Sequence, residues 1–309
     1  MPDFTKTYFE AFRKIGVSTD LFLMRMKGDQ LIETHKYEHA DYDGVSSIVD
    51  LAKKYSPDFR PPQLKVLPRP TLKLQFKELL KWYLRFYPFK PSHWISGPKT
   101  KRVSAWKKIP APHDMTSFDL NAKLLLSLDE TSRSWLVNTK SFRMWMVPVA
   151  LYEKIDLSVT GGNQVSFIDV KIRNGSDLSA VKKELRNQLK TGNYWGTILT
   201  LKPAKYLGVT LFSLFLRFAH LTFRRTGTLT NMGEWKLPSL PADEWWIFGD
   251  GMVAVMNPVV ATAMIVNGHL GLSVIMHESL GKTEADARSF LDQWIENLES
   301  KQDLVSFFK

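Results

Sequence analysis

The segment Glu38-His39-Ala40-Asp41-Tyr42-Asp43-Gly44 reads H-x-x-x-D-G and combines residue types that proton-transfer chemistry uses. An imidazole titrates near neutral pH, so His39 can take a proton from a hydroxyl or amine nucleophile. Asp43 can hold the loop by a salt bridge or by capping a following helix. Gly44 allows a tight turn and a close backbone approach. The same letters also describe an ordinary turn before a helix, so the surrounding elements must decide between the two.

Those elements place the motif at a strand end. Leu21 to Lys27 alternates as a strand, Gly28-Asp29 is a turn, and Gln30 to Tyr37 is the return strand. Val45, Ile48, Val49 and Ala52 then fall on one face of a helix running to Tyr55. A base between strand and helix can reach an open cleft while its backbone stays fixed.

Further along, residues 56–71 are proline-rich and read as a linker. Thr71 to Phe89 reads as a helix with Lys73, Lys77, Lys81 and Arg85 in one stripe, and a second proline-containing loop runs to about Pro112. Arg143 to Leu151 and Asn163 to Ile172 read as strands, Asp177 to Lys190 and Pro203 to Phe223 as helices, and Leu229 to Asn231 as a short strand. Asn267-Gly268 joins Val259–Val266 to Leu270–His277 as a hairpin. Thr283 and Asp286 form a capping box for a last helix carrying Phe290, Leu291, Trp294 and Leu298. This mixture is α/β in the broad sense.

Composition closes several routes. The 309 residues include no cysteine, which excludes disulfides, thiolate nucleophiles and Cys-ligated metal, and fits a reducing, cytoplasmic setting. His35, His93, His113, His220, His269 and His277 show no ligand spacing, so no metal is expected, and no Walker or G-x-G-x-x-G phosphate loop occurs. The most apolar stretch, Leu207 to Phe223, contains Arg217 and His220 and falls short of the roughly 18 unbroken apolar residues of a membrane span. It reads as a buried or interfacial helix. Between Arg60 and Lys108 stand 13 Lys or Arg against one acid, Glu78, so this segment carries the whole excess of the +11 chain. The 71–89 stripe is open to three readings: a solvated face, a peripheral membrane contact aided by Trp82, Tyr83, Phe86, Tyr87 and Phe89, or a dock for an acidic carrier protein or for coenzyme A phosphates. Nucleic acid is not expected, because no recognised binding motif accompanies the charge.

The motif resembles the active-site signature of the superfamily that contains chloramphenicol acetyltransferases, peptide-synthetase condensation domains, plant BAHD acyltransferases and bacterial wax-ester synthases. The hairpin LFLMRMKGDQLIETHKYEHADYDG is similar to that family's strand leading into the motif. RMWMVPVAL and GNQVSFIDVKI resemble strands opening its second lobe, TGTLTNMGEW its crossover strand, and NGHLGLSVIMHESLGKTEADARSFLDQWIENL its closing hairpin and helix. The resemblance covers residues 20–55 and 140–300, and the order of the pieces carries it. Two features depart from the pattern. The histidine comes much earlier in the chain than in two-lobed members, and Glu38 stands where the motif usually has a first histidine. Phe248-Gly249-Asp250-Gly251 only faintly echoes the aromatic-glycine signature of the plant enzymes.

The resemblance implies a chloramphenicol-acetyltransferase-like α/β (α+β) fold. A partial N-terminal lobe over 1–115 would carry the motif and the basic helix, and a C-terminal lobe over 116–309 would hold a mixed sheet with flanking helices. It implies acyl transfer from acyl-CoA or a phosphopantetheine thioester to a hydroxyl or amine of a small-molecule or lipid acceptor, with no tightly bound cofactor. His39 would be the base, Asp43 and Gly44 would shape its loop with Arg143 a candidate partner for Asp43, and Thr230 and Asn231 would face the acyl carbonyl. The alternative is a non-catalytic binding or accessory protein that keeps the fold.

Overall fold

The computed structural model describes residues 4–61, 71–77, 80, 102–112, 115–135, 142–151, 165–192, 194, 204–222, 225–253, 257–277, 280 and 283–306. Helix α1 (Phe4–Lys14) precedes the hairpin of β1 (Asp20–Lys27) and β2 (Gln30–Glu38), and α2 (Gly44–Tyr55) follows. Gly28, at φ 55°, makes the hairpin turn that a side chain would resist. After β3 (Arg102–Pro110) come α3 (Ser117–Trp135), β4 (Phe142–Ala150), β5 (Val165–Arg173), α4 (Leu178–Thr191) and α5 (Ala204–Thr222). Then come β6 (Gly227–Trp235), β7 (Glu244–Asp250), β8 (Val259–Val266), β9 (His269–His277) and α6 (Glu284–Ser306).

Two sheets result, and each borrows a strand from the other end of the chain. The larger is mixed, in the order β3-β9-β8-β6-β4-β5, and the smaller runs β2-β1-β7. β3 closes the large sheet antiparallel to β9, and β7 runs antiparallel to β1. The large sheet buries one face against helices. Leu124, Leu125 and Leu128 of α3 and Phe290, Trp294 and Leu298 of α6 meet Trp145, Leu229, Ala261 and Val274 in one cluster. The small sheet is covered by α2, whose Val45, Ile48, Val49 and Ala52 meet Leu21, Leu23, Trp246 and Phe248.

β7 ties the sheets together. The hydroxyls of Thr262 on β8 and Ser273 on β9 both donate to the Phe248 carbonyl on β7. An added Cβ at Gly271 would sit 2.8 Å from the Trp246 carbonyl oxygen, so this crossing needs a residue without a side chain. Arg25 on β1 adds a bidentate bridge to Glu244 on β7, at 2.6 and 3.1 Å.

The sequence readings of the hairpin, of the helix after the motif, of β4, β5, α4 and of the β8–β9 hairpin match these elements. Asn267 and Gly268 have φ of 48° and 81°, as the two-residue turn requires. The Thr283–Asp286 box forms as read. The crossover strand is longer than read, 227–235 in place of 229–231, and the loop expected before Pro112 contains the strand β3. α5 is bent at Gly208, at φ 65°. Residues 72–77 are helical, while Lys81 and Arg85 of the basic stripe lie outside the described residues. No described helix is long and apolar enough to cross a membrane.

Candidate active site

His39 stands just past the end of β2, and its place is set from three sides. Its backbone N–H donates to the Thr19 carbonyl at 3.0 Å, which extends the β1–β2 ladder by one step. Its ring stacks on Phe9 of α1, with centroids 4.9 Å apart and planes within 9°. Its Nε2 faces Asp250 Oδ1 at 3.5 Å. Asp250 closes β7, opposite Leu21 in the β1–β7 register. The imidazole and the carboxylate therefore come from the two strands that flank β1. His39 is 8% exposed, so the pair sits in a largely desolvated place where electrostatic coupling is strong.

The Asp250 carboxylate has its own support. The Met252 N–H donates to Oδ1 at 2.8 Å. The next residue, Gly251, donates its N–H to the Asp20 carbonyl at 2.8 Å and accepts from Arg102 at 3.0 Å. A Cβ at Gly251 would come within 2.7 Å of that Asp20 carbonyl oxygen, so the turn that aims Asp250 depends on glycine. Sequence reasoning passed over Asp250, because its only signal was the faint Phe-Gly echo around it.

Asp43 and Gly44 serve the backbone. Asp43 caps α2: its Oδ1 accepts from the Ser46 N–H at 2.9 Å, while the Ser46 hydroxyl accepts from the Asp43 N–H, completing a capping box. The capping role read for Asp43 is formed. Arg143 is engaged elsewhere. Its guanidinium binds Asp129 at 2.6 and 2.8 Å and Asn174 at 3.1 Å, which corrects the expectation that it partners Asp43. At Gly44 a Cβ would meet the Met232 side chain at 2.6 Å and Phe248 at 3.1 Å. The glycine therefore lets the start of α2 come up against β6 and β7.

Thr230 and Asn231 lie on β6, and successive strand residues point to opposite faces. Leu229 belongs to the helix-covered core, whereas Met232 reaches Gly44. Thr230 shares the Met232 side and is registered with Thr262, whose hydroxyl reaches β7. Thr230 thus lies on the face turned towards β7 and α2. Its buried hydroxyl has no hydrogen-bond partner among the described residues. Asn231 points the other way, and its Oδ1 accepts from the Gly233 N–H at 2.9 Å. The structure brings Gly44 against Phe248 of β7 and the Met232 side of β6, which Thr230 shares, and Asn231 points away from that side.

Two tyrosines near the site have raised pKa values. Burial pushes Tyr8, on α1 beside Phe9, up to about 12. Burial, and then the Asp50 carboxylate that accepts its proton at 2.9 Å, push Tyr37 still higher. Both stay neutral over the working range of a histidine. A concavity of about 480 Å³, lined by Ala111, Met115, Leu120, Ile265 and Glu234 among others, lies at the β8–β9 turn and shares no residue with the His39 site. Among the described residues no three carboxylate or imidazole groups converge as a metal site would require.

Comparison with known proteins gives a fold and no close relative. No protein-family model and no curated protein matches the chain. Solved structures do match. The starter condensation domain of rhizomide synthetase RzmA, in complex with C8-CoA and Leu-SNAC, aligns with a TM-score of 0.56 at 11% identity, over 86% of this chain and 65% of its own. The TRI3 trichothecene 15-O-acetyltransferase of Fusarium sporotrichioides aligns at 0.54 and 12% identity, over 91% and 70%. A condensation domain for chain release from the enacyloxin polyketide synthase aligns at 0.50 and 13%, over 85% and 56%. The chain thus spans between 56 and 70% of the length of these proteins. The expected chloramphenicol-acetyltransferase-like fold is borne out, with a mixed six-stranded sheet and flanking helices.

Proposed function

We propose that a chain with the condensation-domain fold and this histidine catalyses acyl transfer from a thioester, on coenzyme A or on the phosphopantetheine arm of a carrier protein, to a hydroxyl or amine acceptor. The observation that carries the reading is the buried His39 ring, stacked on Phe9 and facing Asp250 at 3.5 Å. The His39 ring nitrogen that does not face Asp250, Nδ1, takes the proton of the acceptor while the acceptor oxygen or nitrogen attacks the thioester carbonyl. The C–S bond then breaks, and the imidazolium returns the proton to the departing thiolate. Asp250 stabilises the imidazolium between these steps and holds the ring's orientation, as a carboxylate beside a catalytic histidine does. The Thr230 hydroxyl is a donor for the transient oxyanion. No acyl-enzyme is formed, in keeping with a chain without cysteine. A cytoplasmic setting fits the same composition, and the 71–89 segment is the proposed contact for a membrane surface or an acidic carrier.

The second reading is a binding protein that keeps the fold. One assay separates the two. Absence of cysteine means that thiol released from acyl-CoA is read without background from the protein. With a panel of alcohols and amines we expect acceptor-dependent thiol release, lowered roughly 10²–10⁴-fold by His39→Ala and by His39→Gln. The melting temperatures should stay near that of the parent. Activity within a few-fold of the parent would overturn the base assignment. Saturable acyl-CoA binding without release, across the panel, would select the second reading.

A further inference from the structure

Helix α5 buries one side and leaves the other bare. Phe212 and Leu216, with Val209 beside them, pack on Ala11 and Phe12 of α1 and on Val17. On the opposite side Leu211, Leu214 and Phe215 are 55, 55 and 49% exposed. Their spacing, i, i+3 and i+4, makes them one contiguous stripe. Tyr206 lies just before the Gly208 bend and is exposed almost completely. Single exposed leucines are ordinary, whereas a joined stripe of large apolar side chains marks a surface that meets something.

The charge around the stripe says what it meets. α5 contains no Asp or Glu. Arg217 is exposed next to the stripe, and Lys14 of α1 lies along it, donating to the Thr210 hydroxyl at 2.9 Å. Among the described side chains of α1 and α5 four cations, Lys6, Arg13, Lys14 and Arg217, stand against one acid, Glu10, and Arg13 pairs with Glu38 at 3.2 Å. An apolar face on a helix without acids, edged by Lys14 and Arg217, is complementary to an anionic bilayer surface, where side chains enter the acyl boundary and cations remain at the phosphates. We propose that the α1–α5 pair is an interfacial membrane contact, with Leu211, Leu214 and Phe215 inserted and Lys14 and Arg217 at the headgroups of anionic lipid. This surface is built from other residues than the 71–89 stripe and does not depend on acyl transfer.

The test uses the full chain and vesicles of phosphatidylcholine with phosphatidylserine, or of phosphatidylcholine alone. At low salt the parent should sediment with the anionic vesicles. Leu211→Ser/Leu214→Ser/Phe215→Ser should weaken that partition more than tenfold, with 71–89 intact and the melting temperature unchanged. Lys14→Gln and Arg217→Gln should each cost about fivefold, and less at high salt. Since the chain has no cysteine, Leu214→Cys can be labelled alone. An environment-sensitive dye there should shift to the blue with anionic vesicles, whereas one at Lys183→Cys, on the exposed side of α4, should not. An unshifted dye at position 214, or equal sedimentation of parent and triple-serine variant, would overturn the proposal. So would a parent dimer, formed without lipid, that the triple-serine change splits into monomers, because a second copy would then be the occupant.

Discussion

The two ends of the molecule treat buried charge in opposite ways. Behind the large sheet, the fully buried Asp129 carboxylate receives Arg143 at 2.6 and 2.8 Å, the Trp145 indole at 3.0 Å and Arg133 at 3.2 Å. Asp169 and Arg225 form a second close pair nearby. At the end of the small sheet, His39 and Asp250 face each other at 3.5 Å across β1. A carboxylate with four donors at hydrogen-bond distance is held for structure, since any movement would strand a charge in a low dielectric. A histidine and a carboxylate slightly apart keep the geometry a proton transfer uses, because catalytic contacts often tighten only when substrate arrives. On the proposed function, saturated geometry marks scaffold in this fold, and looser geometry marks the reactive end.

The largest effect should come from breaking the saturated end. Asp129→Ala strands Arg143 among buried groups and should cost about 3–5 kcal/mol of stability. Thermal or urea unfolding checks this, and any activity lost should return when the variant is assayed well below its melting point. A loss near zero would show that the network contributes little and would remove the contrast. Asp250→Asn should behave in the reverse manner. It should lower kcat for acyl transfer with KM little changed, because a neutral amide stabilises an imidazolium less than a carboxylate does, and leave unfolding nearly unchanged. An unchanged kcat would show that Asp250 does not act on His39.

An intermediate effect belongs to Asp43, which stands at the seam between scaffold and site. Asp43→Ala removes the cap on α2 and should cost about 0.5–2 kcal/mol. Asp43→Asn should nearly restore it, since asparagine caps as well. If Asn proves as costly as Ala, the carboxylate's charge matters beyond the cap.

How much of this was legible in the sequence followed the range of each interaction. The β1–β2 hairpin, the Asp43 cap, the Asn267-Gly268 turn and the Thr283–Asp286 box are each set within a few residues, and local patterns revealed them. β3 was hidden because it is an edge strand. Its RVSAWKKIP mixes cations with apolar residues, and only Ala105 is buried along it. β7 was hidden for the opposite reason: EWWIFGD is buried along nearly its whole length and shows no alternation. Losing β7 meant losing Asp250, whose partner arrives from β2 through the fold alone. Arg143 was offered to Asp43 because composition cannot choose among acids, whereas the fold sets β4 beside α3 and Asp129.

The smallest and most discriminating effect lies between two threonines that sit side by side. Thr230 on β6 and Thr262 on β8 are registered partners on one face of the large sheet. Thr262 donates to the Phe248 carbonyl and lies 2.7 Å from the Ser273 hydroxyl, so its hydroxyl is part of the tie to β7. The buried Thr230 hydroxyl has no such partner among the described residues. Valine matches threonine in shape, so Thr→Val isolates the hydroxyl in each case. Thr262→Val should cost about 1 kcal/mol, the net worth of a buried hydrogen bond. Thr230→Val should cost nothing measurable or stabilise slightly, because a desolvated and unsatisfied hydroxyl is removed. Activity should rank the other way. Only Thr230→Val should lower kcat for thioester cleavage with KM little changed, as loss of an oxyanion donor requires. If the two valine variants lose activity in proportion to stability, Thr230 is scaffold as well, and the oxyanion must be met by backbone donors.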